Sequence, residues 1–185
     1  MKPLDRLFRA WRTRIALRKM PPGVDTALDI GCGDGYLLRA VPARRREGID
    51  PTLSQDIEQS GLRLCQGYFP DDLTSLGLRG PYDVVFSLAV FEHLGDHELA
   101  AARAVLPDLL NPGGRLIVTV PHPIVDRILD VLMFLRLIDG QAVDEHHGLK
   151  PDRLLELASD RLGLLSRSSF QLGLNKVFVF RRIGD

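Results

Sequence analysis

The chain has 185 residues, of which 45% are hydrophobic and 26% are charged, and basic and acidic residues are equal in number at 24 each. This length and composition are typical of one globular domain and argue against a disordered protein. The neutral total charge disfavours nucleic acid as a partner, because binding to a phosphate backbone needs a surplus of basic residues.

The first predicted element is an amphipathic basic helix over residues 1–20, ended by Pro-Pro-Gly at 21–23. Its arginines fill one face, and the opposite face carries apolar residues at helical spacing, namely Leu4, Leu7, Phe8, Trp11 and Ile15. The first twenty residues contain seven Lys or Arg against one Asp. Such a basic face is either solvated or in contact with an anionic membrane.

Seven short runs rich in branched apolar residues predict strands, at residues 26–31, 47–50, 62–67, 82–87, 115–120, 166–173 and 176–182. The first five are mostly followed by helix-forming sequence, which favours parallel strands buried on both faces. The last two are so close together that they must form an antiparallel hairpin. We therefore predict an α/β fold in a single domain over residues 1–185: a three-layer, Rossmann-like, doubly wound sheet of seven strands.

The helices between the strands have recognisable ends. Thr52 and Asp96 are candidate N-caps, and Asn-Pro-Gly-Gly at 111–114 is expected to end the helix that begins near Asp96. A further helix is predicted over residues 151–162. In an open sheet of this type the ligand lies beyond the carboxyl ends of the strands, which predicts a site at the ends of the first, second and fourth strands.

A glycine-rich turn follows the first strand. Gly31, Gly33 and Gly35 allow a ligand to approach the backbone closely. Asp50 follows Gly31 by 19 residues, about the interval at which a carboxylate binds ribose in dinucleotide folds. The Gly-x-Gly-x-Gly spacing differs from that of a pyrophosphate-binding turn, and Asp34 would repel a phosphate. The turn therefore predicts an adenosine cofactor without a phosphate at this point.

Four segments resemble, in order, motifs of the class I S-adenosylmethionine-dependent methyltransferases: LDIGCGDGYLL at 28–38, EGIDPT at 47–52, YDVVFSLAVFEHL at 82–94 and LLNPGGRLIVTVPHP at 109–123. The similarity is to the small-molecule branch, of the type 11, type 12 and ubiquinone-biosynthesis kind. It implies S-adenosylmethionine as cofactor and S-adenosylhomocysteine as product. It also implies that Gly31 and Gly33 pass beneath the methionine part, that Asp29 lies near its amino group, and that Asp50 binds both ribose hydroxyls.

The adenine side departs from that family. Tyr68 stands where the family often has an aspartate, so the resemblance implies adenine held by stacking on Phe69 or Tyr68 and by backbone groups, with Asp71 or Asp72 as alternatives. Pro51, directly after the ribose carboxylate, is a further cofactor contact expected from the same motif.

Catalysis by methyl transfer needs alignment, and a base only when the acceptor must lose a proton. Ser87 ends the fourth strand and is expected to contact the cofactor, whose methyl group should point toward the loop after it. His93 and His146 are the candidate bases. Glu92, next to His93 in the sequence, fits a structural role as well as a catalytic one. A metal site built from His93, His122 and His146 is not expected, because their spacing indicates none.

The acceptor is expected to be a small molecule, since the Asn/Asp-Pro-Pro-Tyr/Phe motif of base methyltransferases is missing. Residues 122–150 form a lid or acceptor insertion, and 124–138 are apolar on more than one face, which fits a packed lid, an acceptor pocket, a homodimer interface or a peripheral membrane contact. A non-catalytic methyltransferase-like module and an NAD-dependent oxidoreductase are the alternative functions.

We expect the protein in the cytoplasm. Cys32 and Cys65 lack the spacing of a zinc site or a disulfide framework and fit reduced thiols. The basic N-terminus has no apolar signal region, and 124–138 is interrupted by charges and too short for a bilayer, which takes about 20 residues.

Overall fold

The computed structural model describes residues 3–121, 151–171 and 173–184, with side chains from Arg6 onward. The elements are α1 (Pro3–Lys19), β1 (Thr26–Ile30), α2 (Tyr36–Ala40), β2 (Arg45–Asp50), β3 (Ile57–Gln59), β4 (Leu62–Gln66), β5 (Tyr82–Leu88), α3 (Asp96–Val105), β6 (Leu110–Pro121), β7 (Leu162–Phe170) and β8 (Asn175–Arg182). Short 3-10 helices span Phe91–His93 and Pro151–Leu157.

The strands form one sheet in the order β3-β4-β2-β1-β5-β6-β8-β7. Strands β4, β2, β1, β5 and β6 are parallel, and β7 and β8 form the antiparallel hairpin at the far end. The mostly parallel, Rossmann-like sheet with a C-terminal hairpin is thus confirmed. The sheet has eight strands among the described residues and not seven, because β3 pairs antiparallel with β4 at the other edge.

Alternate side chains of the strands pack into two apolar layers. On one face, Val84 and Phe86 of β5 pack in a cluster with Ala16 of α1 and Leu38 of α2. On the other face, Val85 packs in a cluster that contains the buried side chains of α3 and of the 3-10 helix Pro151–Leu157. Helices on both faces of a parallel sheet give the predicted three layers.

Three predicted helix ends differ from the structure. Asp96 is the first residue of α3, and Gly95 precedes it as the N-cap, with its N–H donating to Glu98 at 2.7 Å. Thr52 caps no helix, because the element after β2 is the strand β3, and the Thr52 hydroxyl donates to Asp50 instead. Residues 111–114 lie within β6, where Asn111 donates to Asp83 at 2.7 Å and the β5–β6 register shifts, so α3 ends earlier, at Val105.

The predicted helix over 151–162 is shorter than expected. It is a 3-10 helix that ends at Leu157, and β7 begins at Leu162.

Helix α1 is present as predicted, but its two faces point in unexpected directions. Leu7 and Trp11 are 57% and 41% exposed, whereas Arg9 and Arg12 line a cavity beside the sheet. The buried residues of the inner face are the small Thr13 and Ala16. Acidic side chains lie near both inward arginines, since Arg9 forms an ion pair with Asp34 and Arg12 is close enough to Glu92 for its charge to raise the Arg12 pKa.

The strand order reverses between β1 and β5. The chain runs from β1 toward β2 on one side, and β5 continues toward β6 on the other, with Ile30 paired to Ser87 at the carboxyl ends. Ligands of doubly wound sheets bind at such a switch point. The cavity lined by Arg9 and Arg12 lies at this switch point, beside the carboxyl end of β1.

Candidate cofactor-binding and active site

The glycine turn after β1 is shaped by its contact with the chain after β5. Gly31 has a φ of +76°, and a Cβ built on it would lie 2.2 Å from Cγ2 of Val90. Its N–H donates to the Ile49 carbonyl of β2 at 2.8 Å. Only glycine combines this backbone conformation with so close an approach.

The segment that touches the glycine turn is itself strained. Ala89 has a φ of +61°, an uncommon conformation for a residue with a Cβ. Its N–H donates to the Thr119 carbonyl of β6 at 2.9 Å, which holds the strained residue in place. Backbone strain of this kind concentrates at functional sites, and here it fixes Val90 against the glycine turn.

A cavity of about 180 Å³ lies between the glycine turn and α1. Asp29, Gly31 and Gly33 contribute one wall, and Arg9 and Arg12 from α1 contribute another. This volume is below that of typical whole small-molecule sites, roughly 300–1,000 Å³, so the cavity has room for only part of a nucleoside cofactor. The structure therefore brings three of the predicted cofactor residues into one cavity.

Asp29 is a buried carboxyl without enough partners. Its side chain is 3% exposed, and among the described residues its Oδ1 has no hydrogen-bond donor. Burial raises the pKa of Asp29 well above its usual range, the charge of Asp50 raises it further, and Arg9 opposes the rise. A cationic donor in the cavity would satisfy this carboxyl, so the site fits a ligand with an ammonium group.

The arginines of α1 make the opposite wall positive. Arg9 forms an ion pair with Asp34 and lies 4.2 Å above the centre of the Tyr36 ring. Burial lowers the pKa of Arg12, while the charge of Glu92 raises it and that of Arg9 lowers it. Because an arginine stays protonated in proteins, Arg12 presents a desolvated cation to the cavity. Asp34, the residue expected to repel phosphate, has its own charge largely offset by Arg9.

Asp50 at the end of β2 is tied to the glycine turn. Its Oδ2 accepts the Gly33 N–H at 2.7 Å, and its Oδ1 accepts the N–H and hydroxyl of Thr52 at 2.8 and 2.5 Å. A carboxylate offers about four acceptor positions, so about one is left. Binding two ribose hydroxyls at once requires the rotatable Thr52 hydroxyl to turn away.

The adenine-side residues lie apart from this cavity. Pro51 is exposed and Tyr68 is 66% exposed, with the Tyr68 N–H donating to Asp72 at 2.8 Å. Asp72 is therefore occupied in shaping its own loop. Phe69 stacks on Phe91 at 6.1 Å between ring centres and packs against the core.

The predicted cofactor residue Ser87 and the candidate catalytic residues are placed differently from one another. Ser87 is fully buried at the carboxyl end of β5, and Glu92 is buried in the 3-10 helix that follows. His93 is exposed beside it and does not line the described cavity. His122 and His146 lie outside the described residues. Within the described ranges no three His, Cys, Asp or Glu side chains are arranged to hold a metal ion.

The sequence reasoning missed Arg9 and Arg12 as part of the site. The available signal was their spacing of three residues on a helix directly before the glycine turn. The basic face as a whole was expected to meet solvent or a membrane, and periodicity alone does not tell which side of a helix packs inward.

Asp29→Asn is expected to stabilise the protein without ligand, because the amide removes a buried carboxylate. The raised pKa means that the native state holds a proton that the unfolded chain has lost above about pH 4. The parent's free energy of unfolding therefore falls as pH rises through the folded-state pKa, and the variant should not show that fall. Urea unfolding between pH 5 and 8 measures both. Asp71→Asn, an exposed control, should behave like the parent, and an Asp29→Asn protein less stable at every pH would contradict the assignment.

Comparison with known proteins places the chain among methyltransferases. The sequence profile of the family described as "Methyltransferase domain" matches residues 3–164. The chain is 25% identical over 172 residues to a ubiquinone biosynthesis O-methyltransferase of Methylococcus capsulatus, and the match covers 86% of this chain and 69% of that protein. It is 30% identical over 124 residues to a tRNA U34 carboxymethyltransferase of the same organism, and that match covers 58% of this chain and 37% of that protein.

Among solved structures, the fold is similar to that of the N-methyltransferase NodS from Bradyrhizobium japonicum, determined with S-adenosyl-L-homocysteine. The TM-score is 0.63 at 15% identity, over 99% of this chain and 89% of that one. The chain spans 37% to 52% of the length of the first curated relatives that it matches.

Proposed function

The chain belongs to the methyltransferase domain family, and we propose that it transfers a methyl group from S-adenosylmethionine to a small-molecule acceptor, leaving S-adenosylhomocysteine. The observation that carries the proposal is a buried, unsatisfied carboxyl that faces a buried cation across the cavity. Asp29 offers a buried acceptor on one side, and Arg12 offers a desolvated cation on the other. This arrangement complements an amino acid, which carries an ammonium and a carboxylate on one carbon.

The cofactor's methionine part matches this cavity. Its ammonium would donate to Asp29, and its carboxylate would accept from Arg12, since Arg9 is already paired with Asp34. Charge-assisted hydrogen bonds of this kind are stronger than neutral ones. Gly31 and Gly33 leave room for the chain between these two groups.

The nucleoside part would continue along the end of β2. Asp50 would accept from the ribose hydroxyls after Thr52 releases one acceptor position. We propose Pro51, Tyr68 and Phe69 as the adenine contacts. The exposure of Pro51 and Tyr68 and the partial burial of Phe69 support this, because an aromatic face flanked by core provides a stacking surface.

When bound, S-adenosylmethionine supplies an electrophilic methyl group on a sulfonium. The residues of this chain then align the acceptor with it and exclude water. The fixed loop at Ala89 and Val90 and the end of β5 at Ser87 would set that alignment. His93 is proposed to take a proton from the acceptor where the acceptor must lose one, and His146 is proposed for the same role.

We propose a small molecule as acceptor, in the cytoplasm. The balanced charge of the chain and its similarity to a ubiquinone biosynthesis O-methyltransferase support a small-molecule acceptor. The similarity to a tRNA U34 carboxymethyltransferase is the observation that favours tRNA as the acceptor instead. The free Cys32 and Cys65 are consistent with a reducing compartment. A homodimer remains part of the proposal, with residues 122–150 as its interface.

The cofactor assignment predicts a selective thermal shift. S-adenosylhomocysteine at about 100 times its Kd should stabilise the fold by about 2.7 kcal/mol, which appears as a rise in Tm of several degrees. NAD should not shift the Tm, because the glycine turn after β1 lacks the Gly-x-Gly-x-x-Gly spacing that binds a pyrophosphate. Differential scanning fluorimetry with each ligand measures these shifts. Equal shifts with the two ligands would favour the NAD-dependent oxidoreductase. No shift with S-adenosylhomocysteine would contradict the cofactor assignment. A shift without methyl transfer to any acceptor in a metabolite extract would favour the non-catalytic module.

A further inference from the structure

The outer face of α1 carries an exposed stripe that the proposed function does not use. Leu7, Trp11, Arg14 and Arg18 follow one another at intervals of four, three and four residues, so they align along one side of the helix. Leu7 is 57% exposed, Trp11 is 41% exposed, and both arginines are exposed. We call these four residues the outer stripe.

The helix is held so that the outer stripe must face away from the sheet. At its end, Arg115 of β6 donates to the Lys19 and Met20 carbonyls at 2.8 and 3.1 Å. In its middle, Arg9 is paired with Asp34 of the glycine turn, and Ala16 is fully buried. Three attachments along one side leave α1 no freedom to rotate and bury Trp11.

The charge of the outer stripe selects the chemistry of its partner. Residues 6–20 contain six Arg or Lys and no Asp or Glu, and only Arg9 and Arg12 of the six line the cavity. A partner must therefore bring negative charge to Arg14 and Arg18 and, within the same few ångströms, an apolar layer to Leu7 and Trp11. The headgroup boundary of an anionic bilayer supplies both, because tryptophan favours that interface and each nearby basic residue binds anionic headgroups.

We propose that the outer stripe of α1 docks the protein on an anionic lipid bilayer, with Trp11 and Leu7 in the headgroup region and Arg14 and Arg18 on lipid phosphates. A second copy of the chain fits less well. A two-fold contact between two outer stripes would bring four arginines together without an acidic side chain from residues 6–20 of either helix. The inference does not depend on the proposed methyl transfer.

Within the described residues, no helix has the length and hydropathy to cross a bilayer. The expected arrangement is therefore a helix lying in the plane of the surface.

Trp11 is the only tryptophan of the chain, so its fluorescence reports on the outer stripe alone. The whole protein is titrated with vesicles of equal parts phosphatidylglycerol and phosphatidylcholine, and separately with vesicles of phosphatidylcholine only. We expect a blue shift of Trp11 emission and co-sedimentation with the anionic vesicles, both lost at high salt, and neither with the neutral ones. Inorganic phosphate alone should leave the emission unchanged, which separates a bilayer from a free anion.

Variants test the residues. Arg14→Gln with Arg18→Gln should weaken binding to anionic vesicles about 30-fold, at about a factor of five per basic residue. The matched control, Arg79→Gln with Arg103→Gln, removes two exposed arginines elsewhere and should bind like the parent. Leu7→Ser should reduce the blue shift, and circular dichroism should show unchanged helix content in all three.

Three outcomes would overturn the inference. The first is an emission that anionic vesicles do not move. The second is equal loss of binding in the Arg79 and Arg103 control. The third is an outer stripe that responds to tRNA or to protein concentration and not to vesicles, which would assign the surface to nucleic acid or to a second copy.

Discussion

Asp50→Ala is expected to lower the affinity for S-adenosylhomocysteine about a hundredfold. Hydrogen bonds to a charged group contribute about 1.5–3 kcal/mol each, so losing two from the ribose costs about 3 kcal/mol or more. Part of the effect comes through the turn, because Asp50 also accepts the Gly33 N–H at 2.7 Å. Isothermal titration calorimetry of parent and variant measures the loss, with circular dichroism as a check that the variant is folded.

Thr52→Ala is the matched control for that experiment. The Thr52 hydroxyl occupies an acceptor position on Asp50 at 2.5 Å, so its removal frees that position for a ribose hydroxyl. We expect unchanged or tighter binding. If Thr52→Ala weakened binding as much as Asp50→Ala, the carboxylate would be acting by holding its loop together, and its assignment to ribose would be wrong.

Gly31→Ala is expected to destabilise the fold by about 3 kcal/mol. The positive φ costs about 1–2 kcal/mol for a residue with a Cβ, and forcing a methyl group against a packed neighbour costs about 1–3 kcal/mol. That neighbour is Val90, whose Cγ2 would lie 2.2 Å from the new Cβ. The midpoint of urea unfolding measures the loss.

Gly33→Ala and a double variant separate the two causes. Gly33 has a φ of +50°, but a Cβ added there would meet no atom within 4 Å, so its replacement should cost about 1 kcal/mol. Adding Val90→Ala to Gly31→Ala removes Cγ2 of Val90, the atom nearest to the new Cβ. The double variant should therefore lose only about 1 kcal/mol of unfolding free energy through the Gly31 position. A double variant no more stable than Gly31→Ala would show that the Val90 contact is not the cause.

The parallel strands were predictable because their burial on both faces leaves continuous apolar runs, as at Val84, Val85 and Phe86. Strand β3 was not predictable, because Ile57–Gln59 is three residues long and only Ile57 is apolar. Strand β3 forms by pairing with β4, and the local sequence of residues 57–59 does not show that this pairing occurs. Edge strands are commonly of this kind.

The site was predictable where glycine and aspartate stand in a fixed order along one strand, turn and second strand. It was not predictable where distant parts of the chain meet. The approach of Val90 to Gly31 joins residues almost sixty positions apart, and the buried Arg12 lies near Glu92, which is eighty positions further along the chain. The sequence shows that a residue is an arginine, but only the fold shows whether its charge faces the site or the solvent.

The buried carboxyl of Asp29 also bears on how long each molecule survives in a cell. A protein whose buried carboxyl lacks a partner until the ligand binds is less stable empty than loaded. Proteases degrade the transiently opened form, so the empty molecules should be removed first. If the proposed cofactor is that ligand, the amount of the protein would then follow the cofactor's supply, with no dedicated regulator.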